Sequence, residues 1–183
     1  MAARHHSMAA ARILRCGGLV AHRTSTLPGV AASPFDAKAV LRLQRFKQRK
    51  GPFLLLADSL ATAMAWARPT VPGLRRMARQ SWPGAVTLVF PGRPGLPAVC
   101  YQQGHVAIRV DADPETRRLA RLAGGLLLST SLNRRGGATQ VPGRTTFLRL
   151  HRWLDGRIAA PATGAGAASQ IHRIGRRKAV RLR

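Results

Sequence analysis

The stretch Gly124-Gly125-Leu126-Leu127-Leu128-Ser129-Thr130-Ser131 constrains the fold of this chain more than any other. A glycine pair stops a helix, and the unbroken apolar run after it reads as a strand covered on both faces. Leu19-Val20-Ala21, after Gly17-Gly18, and Phe53 to Ala57 read the same way. Helical patterns lie between. Ser33-Pro34 supplies an N-cap and a first-turn proline for a helix to about Phe46, with Ala37, Val40, Leu41 and Leu43 inward. Asp58 or Ser59 caps a helix through Trp66 that Pro69 ends, and Pro72-Gly73 opens one with Arg75, Arg76 and Arg79 outward. Val86–Phe90 and His105–Val110 read as strands, and Asp113-Pro114 starts the helix that Gly124-Gly125 terminates. Thr145 or Thr146 begins a helix to near Trp153, while Ser169–Arg173 and Ala179–Leu182 read as a hairpin. Strands alternating with helices predict an α/β fold with a sheet buried on both faces.

The length of 183 residues fits one domain, and 45% hydrophobic residues can fill its core. Lys plus Arg is 31 against 6 acids, a net charge of +25. So few acids exclude an acid-lined metal site and argue against paired-carboxylate catalysis. The surplus favours a polyanionic ligand. All but four of the bases are Arg, and Ala, Gly and Leu are abundant, so GC-rich codon drift is a second reading of the same charge. Cys16 and Cys100 form neither a disulfide framework nor a zinc knuckle, which points to a reducing, cytoplasmic setting. No apolar stretch approaches the roughly 20 residues of a membrane span. Residues 1–35 lack acids and carry Arg4, Arg12, Arg15 and Arg23, a pattern similar to a transit peptide. The preferred reading is a helix, Met8–Cys16, running into a strand, Gly18–His22, with no order assigned to residues 1–7.

His-x-x-x-His, Cys-x-x-Cys and Walker patterns are all missing from the sequence. Asp111 and Asp113 read as helix caps. What remains is a series of hydroxyl and basic clusters at strand ends: Thr24-Ser25-Thr26, Lys47-Gln48-Arg49-Lys50 and Ser129-Thr130-Ser131 with Asn133. In an open α/β sheet, ligands bind beyond the carboxyl ends of strands, where such groups suit phosphate or carboxylate oxygens.

Those clusters sit in a longer pattern. Gly17-Gly-Leu-Val-Ala-His-Arg-Thr-Ser-Thr-Leu-Pro-Gly29 resembles the GGxVAxPTETVYGLG motif of the YrdC/TsaC family of threonylcarbamoyl-AMP synthases. Lys47-Gln-Arg49 resembles its KxR, and Ser81-Trp-Pro-Gly-Ala-Val-Thr-Leu-Val89 its WPGPLTLVL. Val106-Ala-Ile-Arg-Val110 resembles VAVRVP, and Ser129-Thr-Ser-Leu-Asn133 resembles STSAN. Ser169-Gln-Ile and Val180-Arg-Leu-Arg183 resemble the closing hairpin. The resemblance covers about Ala9 to Arg183 and implies a single YrdC-like domain over 1–183: a twisted, mostly buried mixed sheet flanked by helices, with a basic concave site.

It also implies a reaction. L-threonine, bicarbonate and ATP give threonylcarbamoyl-adenylate and pyrophosphate, and partner proteins use the adenylate to modify tRNA. By resemblance, Thr26, Arg109, Ser129 and Ser169 contact threonine. Lys47, Arg49, His105, Ser131, Asn133, Thr139 and Arg183 contact ATP, Lys47 and Arg49 as the catalytic cations. Mg2+ would enter with the nucleotide, and the protein itself would hold no metal. The chain departs from the pattern at Arg23 (proline in the family), Ser25 (acid), Pro28 (tyrosine) and Leu132 (alanine), and Gly51-Pro52 replaces a polar loop. Two alternatives stay open: a catalytically weakened YrdC-fold protein holding tRNA or double-stranded RNA, and carbamoyl-adenylate synthesis as in hydrogenase maturation.

Overall fold

The computed structural model describes residues 2–69, 71, 73–158, 167–175 and 179–182. One mixed sheet runs through it. Its strands are β1 (Val20–His22), β2 (Gly29–Ala32), β3 (Leu54–Ala57), β4 (Val86–Pro91), β5 (Tyr101–Gln102), β6 (His105–Val110), β7 (Leu126–Ser131), β8 (Gly156–Arg157), β9 (Gln170–Ile174) and β10 (Ala179–Arg181). They lie in the order β10-β9-β4-β6-β3-β7-β2-β1-β8, with β5 folded back on β6. The pairs β3–β6, β4–β9 and β1–β8 are parallel and the others antiparallel. The helices are α1 (Ala2–Arg15), α2 (Ala37–Lys47), α3 (Leu60–Ala65), α4 (Leu74–Ser81), α5 (Pro114–Leu122) and α6 (Arg144–Arg149).

Successive residues of a strand point to opposite faces, so an all-apolar strand feeds two cores. Leu55, Leu88, Phe90, Val106, Ile108 and Leu128 pack with Leu43 and Phe46 of α2, Ala63 of α3 and Leu74 of α4. Their neighbours Val20, Ala31, Leu56 and Leu127 pack instead with Leu14 of α1 and Leu119 of α5. Each such buried side chain stabilises the fold by roughly 1.5–3 kcal/mol. The second core draws its strand residues from β1, β2, β3 and β7 alone. Beyond it, the same face of the sheet turns polar, which places the site described below.

Local chemistry accounts for most element boundaries. Ser59 accepts a hydrogen bond from Thr62 N at the start of α3, and Asp113 one from Thr116 N at the start of α5, with Pro114 in the first turn. Gly17 has φ +77°, and a Cβ there would come within 2.8 Å of Asp36 Oδ2, so this turn has no room for a side chain.

The structure corrects several expectations. The helix expected from Ser33-Pro34 starts at Ala37 and is capped by Asp36, whose Oδ1 accepts from Ala39 N at 2.8 Å. The reason is β2, four small buried residues that carry no bulky strand former and escape notice in the sequence. Leu41, expected inward, is 53% exposed. α6 ends at Arg149, and Trp153 packs edge-on against Phe46 with ring centroids 6.1 Å apart. α1 begins at Ala2 rather than Met8, and Ser7 Oγ donates to Glu115 Oε2 at 2.8 Å. β5 and β8, at two residues each, are too short to leave a periodic signal. Pro72 and residues 176–178 of the expected hairpin turn lie outside the described residues, as do 159–166. Among the described residues no helix is long and apolar enough to cross a membrane.

Candidate active site

Strand β6 fixes the first part of the site. Val106, Ile108 and Val110 enter the larger core, so alternation sends Arg109 to the other face with Ala107 and His105. Arg109 is 2% exposed, and a buried guanidinium requires an anion. Its Nη2 lies 2.8 Å from Asp111 Oδ2, and its Nη1 donates to Thr26 Oγ1 at 2.7 Å. Nε is buried without a hydrogen-bond partner among the described residues. Burial works against the charge on Arg109, and Asp111 sustains it. Asp111 was expected to cap a helix. It is instead fully buried beneath Arg109, with Oδ1 accepting from Ser25 N at 2.8 Å and Asp113 N at 2.9 Å, while Asp113 does the capping.

The loop between β1 and β2 continues the network. Thr26 Oγ1 accepts from Arg109, so its proton goes to Thr24 Oγ1 at 3.0 Å, and Thr24 donates in turn to Leu27 O at 2.8 Å. The hydrogen bonds thus run in one direction, and both threonines are at most 5% exposed. Next along the sheet, Ser129 Oγ lies 3.1 Å from His22 Nε2. Burial pushes the His22 imidazole down to about 4, with Asp111 opposing the shift, so the ring is neutral at pH 7. Gly29 makes this approach possible: a Cβ there would stand 2.9 Å from His22 Nε2 and 3.0 Å from Ser129 Oγ. Ser169, just ahead of β9, lies 3.0 Å from Thr87 Oγ1, and both are buried. Thr87 precedes the Leu88–Ile108 pair and so sits across from Arg109.

The second part lies where α2 ends. Lys47 is its last residue, 6% exposed, and its Nζ faces four oxygens: Ser131 O (3.2 Å), Ser131 Oγ (3.3 Å), Asn133 O (2.7 Å) and Asn133 Oδ1 (2.6 Å). Burial, aided by nearby Arg49, lowers its ammonium to about 8. Ser131 Oγ also donates to Asn133 Oδ1 at 2.6 Å, and Asn133 Nδ2 donates to Gly137 O. Gln48 takes the left-handed conformation, φ 53°, and turns the chain so that exposed Arg49 lies 4.6 Å over the Phe53 ring. Ser129 and Ser131 are alternate residues of β7 and share a face, so one strand links the two parts.

His105 heads β6, half-buried, with Nδ1 2.9 Å from Gln103 O. Thr139 is half-buried in the segment returning to β7, where Gln140 N donates to Leu132 O at 2.8 Å. Arg183 lies outside the described residues. Leu132, which replaces the motif's alanine, is fully buried in the larger core. Its bulk is taken up there.

Sequence reasoning missed His22 and Thr87, took Asp111 for a helix cap, and named Thr24 only within its hydroxyl cluster. Strand alternation carries the signal for two of them. Arg109 and Asp111 are two apart, and Thr87, across from Arg109, is two from Val89, across from Ala107, so each pair falls on one face. His22 occupies a variable position of its motif and gives no such signal. A groove of about 390 Å³ lined by Leu60, Ala61, Met64, Ala65 and Arg75 lies on the opposite layer, away from these groups.

Comparison with known proteins adds to this geometry. The family model for Sua5, YciO and YrdC proteins, described as "Telomere recombination", matches residues 12–183. A threonylcarbamoyl-AMP synthase of Stenotrophomonas maltophilia is 35% identical over 164 residues, covering 86% of this chain and 88% of that protein. One from Thiobacillus denitrificans is 37% identical over 152 residues, covering 79% and 80%. Among solved structures, P. abyssi Sua5 complexed with L-threonine superimposes with a TM-score of 0.88 at 26% identity, over 97% of this chain. The chain spans 53% of that longer protein. E. coli YciO superimposes with a TM-score of 0.81 at 22% identity over 99% of this chain and 89% of its own, a likeness of fold.

Proposed function

The chain belongs to the Sua5/YciO/YrdC family, and from that premise we propose that it makes threonylcarbamoyl-adenylate from L-threonine, bicarbonate and ATP, for the modification of tRNA adenosine in the cytoplasm. The observation that carries this reading is the pairing on one strand of a buried hydroxyl–guanidinium network with a buried lysine. Ser129 Oγ lies 3.1 Å from His22 Nε2, at the end of the strand that leads into the Thr24–Thr26 loop, and Ser131 contacts Lys47. One part suits an amino acid with a carboxylate and a hydroxyl. The other suits phosphate oxygens.

Each group then has a task. Both terminal nitrogens of Arg109 already have protein partners, so a threonine carboxylate meets the guanidinium along its Nε edge. Thr26, Ser129 and Ser169 offer hydroxyls to the rest of the amino acid. The threonine amine condenses with bicarbonate to a carbamate with loss of water. A carbamate oxygen then bonds to the α-phosphorus as the bond to pyrophosphate breaks. Charge builds on the transferred phosphoryl and on the leaving group, and fixed cations stabilise it without reorganising. We assign that task to Lys47 and Arg49, with His105, Ser131, Asn133, Thr139 and Arg183 as further nucleotide contacts. Mg2+ needs few protein ligands when it travels on a triphosphate. Among the described residues no three His, Cys, Asp or Glu side chains gather.

Incubation with ATP, bicarbonate and labelled L-threonine, followed by chromatography, tests the reading. A labelled adenylate that requires all three substrates is the expected result. Labelled threonine recovered unchanged would overturn it.

A second reading, RNA held on the basic surface, rests on a specific observation. All six carboxylates are engaged by the fold: Asp58, Asp111, Asp113 and Asp155 by arginines, Asp36 by a helix start and Glu115 by Ser7. Among the described residues the other arginines have no carboxylate partner. Binding of tRNA should weaken with salt by a logarithmic slope of about 0.7–0.9 per neutralised phosphate, and salt-independent binding would reject this reading.

A further inference from the structure

We infer that Asp111 is a positioning residue for the amino-acid substrate: from the turn between β6 and α5 it supplies the carboxylate that the family pattern places at position 25, and it holds Arg109 in its binding orientation. The inference rests on the threonine reading above, and it concerns what is particular to this chain.

Two departures from the motifs meet in space. The acid of PTET is Ser25 here, and the final proline of VAVRVP falls at Asp111. The two positions are 86 residues apart in sequence, yet Asp111 Oδ1 accepts from Ser25 N at 2.8 Å. The carboxylate therefore rests against the backbone of the residue that lacks one. Its other oxygen lies 2.8 Å from Arg109 Nη2, and no other acid is paired with Arg109 among the described residues. With Ser25 and a proline at 111 together, Arg109 would be a buried cation without a counter-ion, which a fold tolerates poorly. Neither substitution is accommodated without the other. A second exchange follows the same logic. Arg23, in place of the motif's proline, pairs with Asp113 at 3.1 Å, and Thr116 Oγ1 donates to Arg23 O at 2.8 Å. The loop before β2 is thus fastened to the turn before α5 on both sides of Thr24.

Arg109 depends on that fastening. Asp111→Asn keeps the volume but replaces one acceptor with an amide donor. That donor must face either the guanidinium or the N–H groups of Ser25 and Asp113, so Arg109 loses its alignment with Thr26. L-threonine affinity should fall about 10- to 100-fold, the usual effect of losing a charged hydrogen bond, while ATP affinity holds. A general loss of structure would lower both. Ser25→Glu alone sets two carboxylates against one guanidinium and should also weaken threonine binding. In the double variant Ser25→Glu/Asp111→Asn the acid is back on the loop, and threonine affinity should recover.

Titration calorimetry of the four proteins with L-threonine and with ATP, beside their melting temperatures without ligand, tests this. Loss in each single variant and recovery in the double supports the inference. It is overturned if Asp111→Asn binds threonine as the unaltered protein does, if ATP affinity falls in parallel, or if the double variant gains nothing over Asp111→Asn. If the unaltered protein binds no threonine, the substrate reading fails instead. The exchange of charge is then judged from the melting temperatures, where recovery in the double variant upholds it and additive losses reject it.

Discussion

Lys47 carries a charge into surroundings that work against it. Burial lowers its ammonium to about 8, and the four oxygens of Ser131 and Asn133 fix its direction. Below that pH the side chain is a cation ready for phosphate, and above it the charge is lost. ATP affinity should therefore decline as pH rises through 8, and Lys47→Arg should flatten the decline. Calorimetric titration between pH 7 and 9 reads both. His22 titrates in the opposite regime. Its folded-state value, about 4, lies below the 6.5 of the free imidazole, so the unfolded chain takes up the proton first as pH falls. The stability tied to neutral His22 is complete above about pH 6.5 and is lost toward pH 4, on the order of 3 kcal/mol in all. Urea midpoints at pH 7 and pH 5 should differ less in His22→Asn than in the unaltered protein.

At the scale of elements, α2 connects folding to chemistry. Its first turn is capped by Asp36, its middle packs Leu43 and Phe46 into the core, and its last residue is Lys47. Asp36→Ala removes the bond to Ala39 N and should cost about 1 kcal/mol in denaturant unfolding. Lys47 sits at the opposite end of the helix, so ATP affinity should change little. A loss of nucleotide binding as large as that of a Lys47 variant would show that the cap orients the whole helix. The cap was misread from sequence because Ser33-Pro34 carries the stronger local signal. Pairing of Gly29–Ala32 with Thr130 and its neighbours holds that segment extended and moves the helix start along the chain.

For the molecule as a whole, ligand linkage is the broadest test. Saturation at 100 times the dissociation constant stabilises a native state by about 2.7 kcal/mol, worth roughly 5–10 °C in a protein of this size. ATP and L-threonine should each raise the melting temperature, and absence of both shifts would count against the proposed site. The sequence by itself determined the α/β layering, because unbroken apolar strands must be covered on both faces and period-2 and period-3.6 patterns are local. It also marked Lys47, Arg109 and Ser129, whose residue types and order along the chain are visible without coordinates. Tertiary structure decided the rest. Whether Arg109 meets Thr26 and Asp111, and whether Lys47 meets Asn133, depends on strand order, since β6 reaches β2 only through β3 and β7. Whether Leu132 faces ligand or core, and whether Asp111 caps a helix or neutralises an arginine, turns on burial, which arises only when distant segments close around a residue.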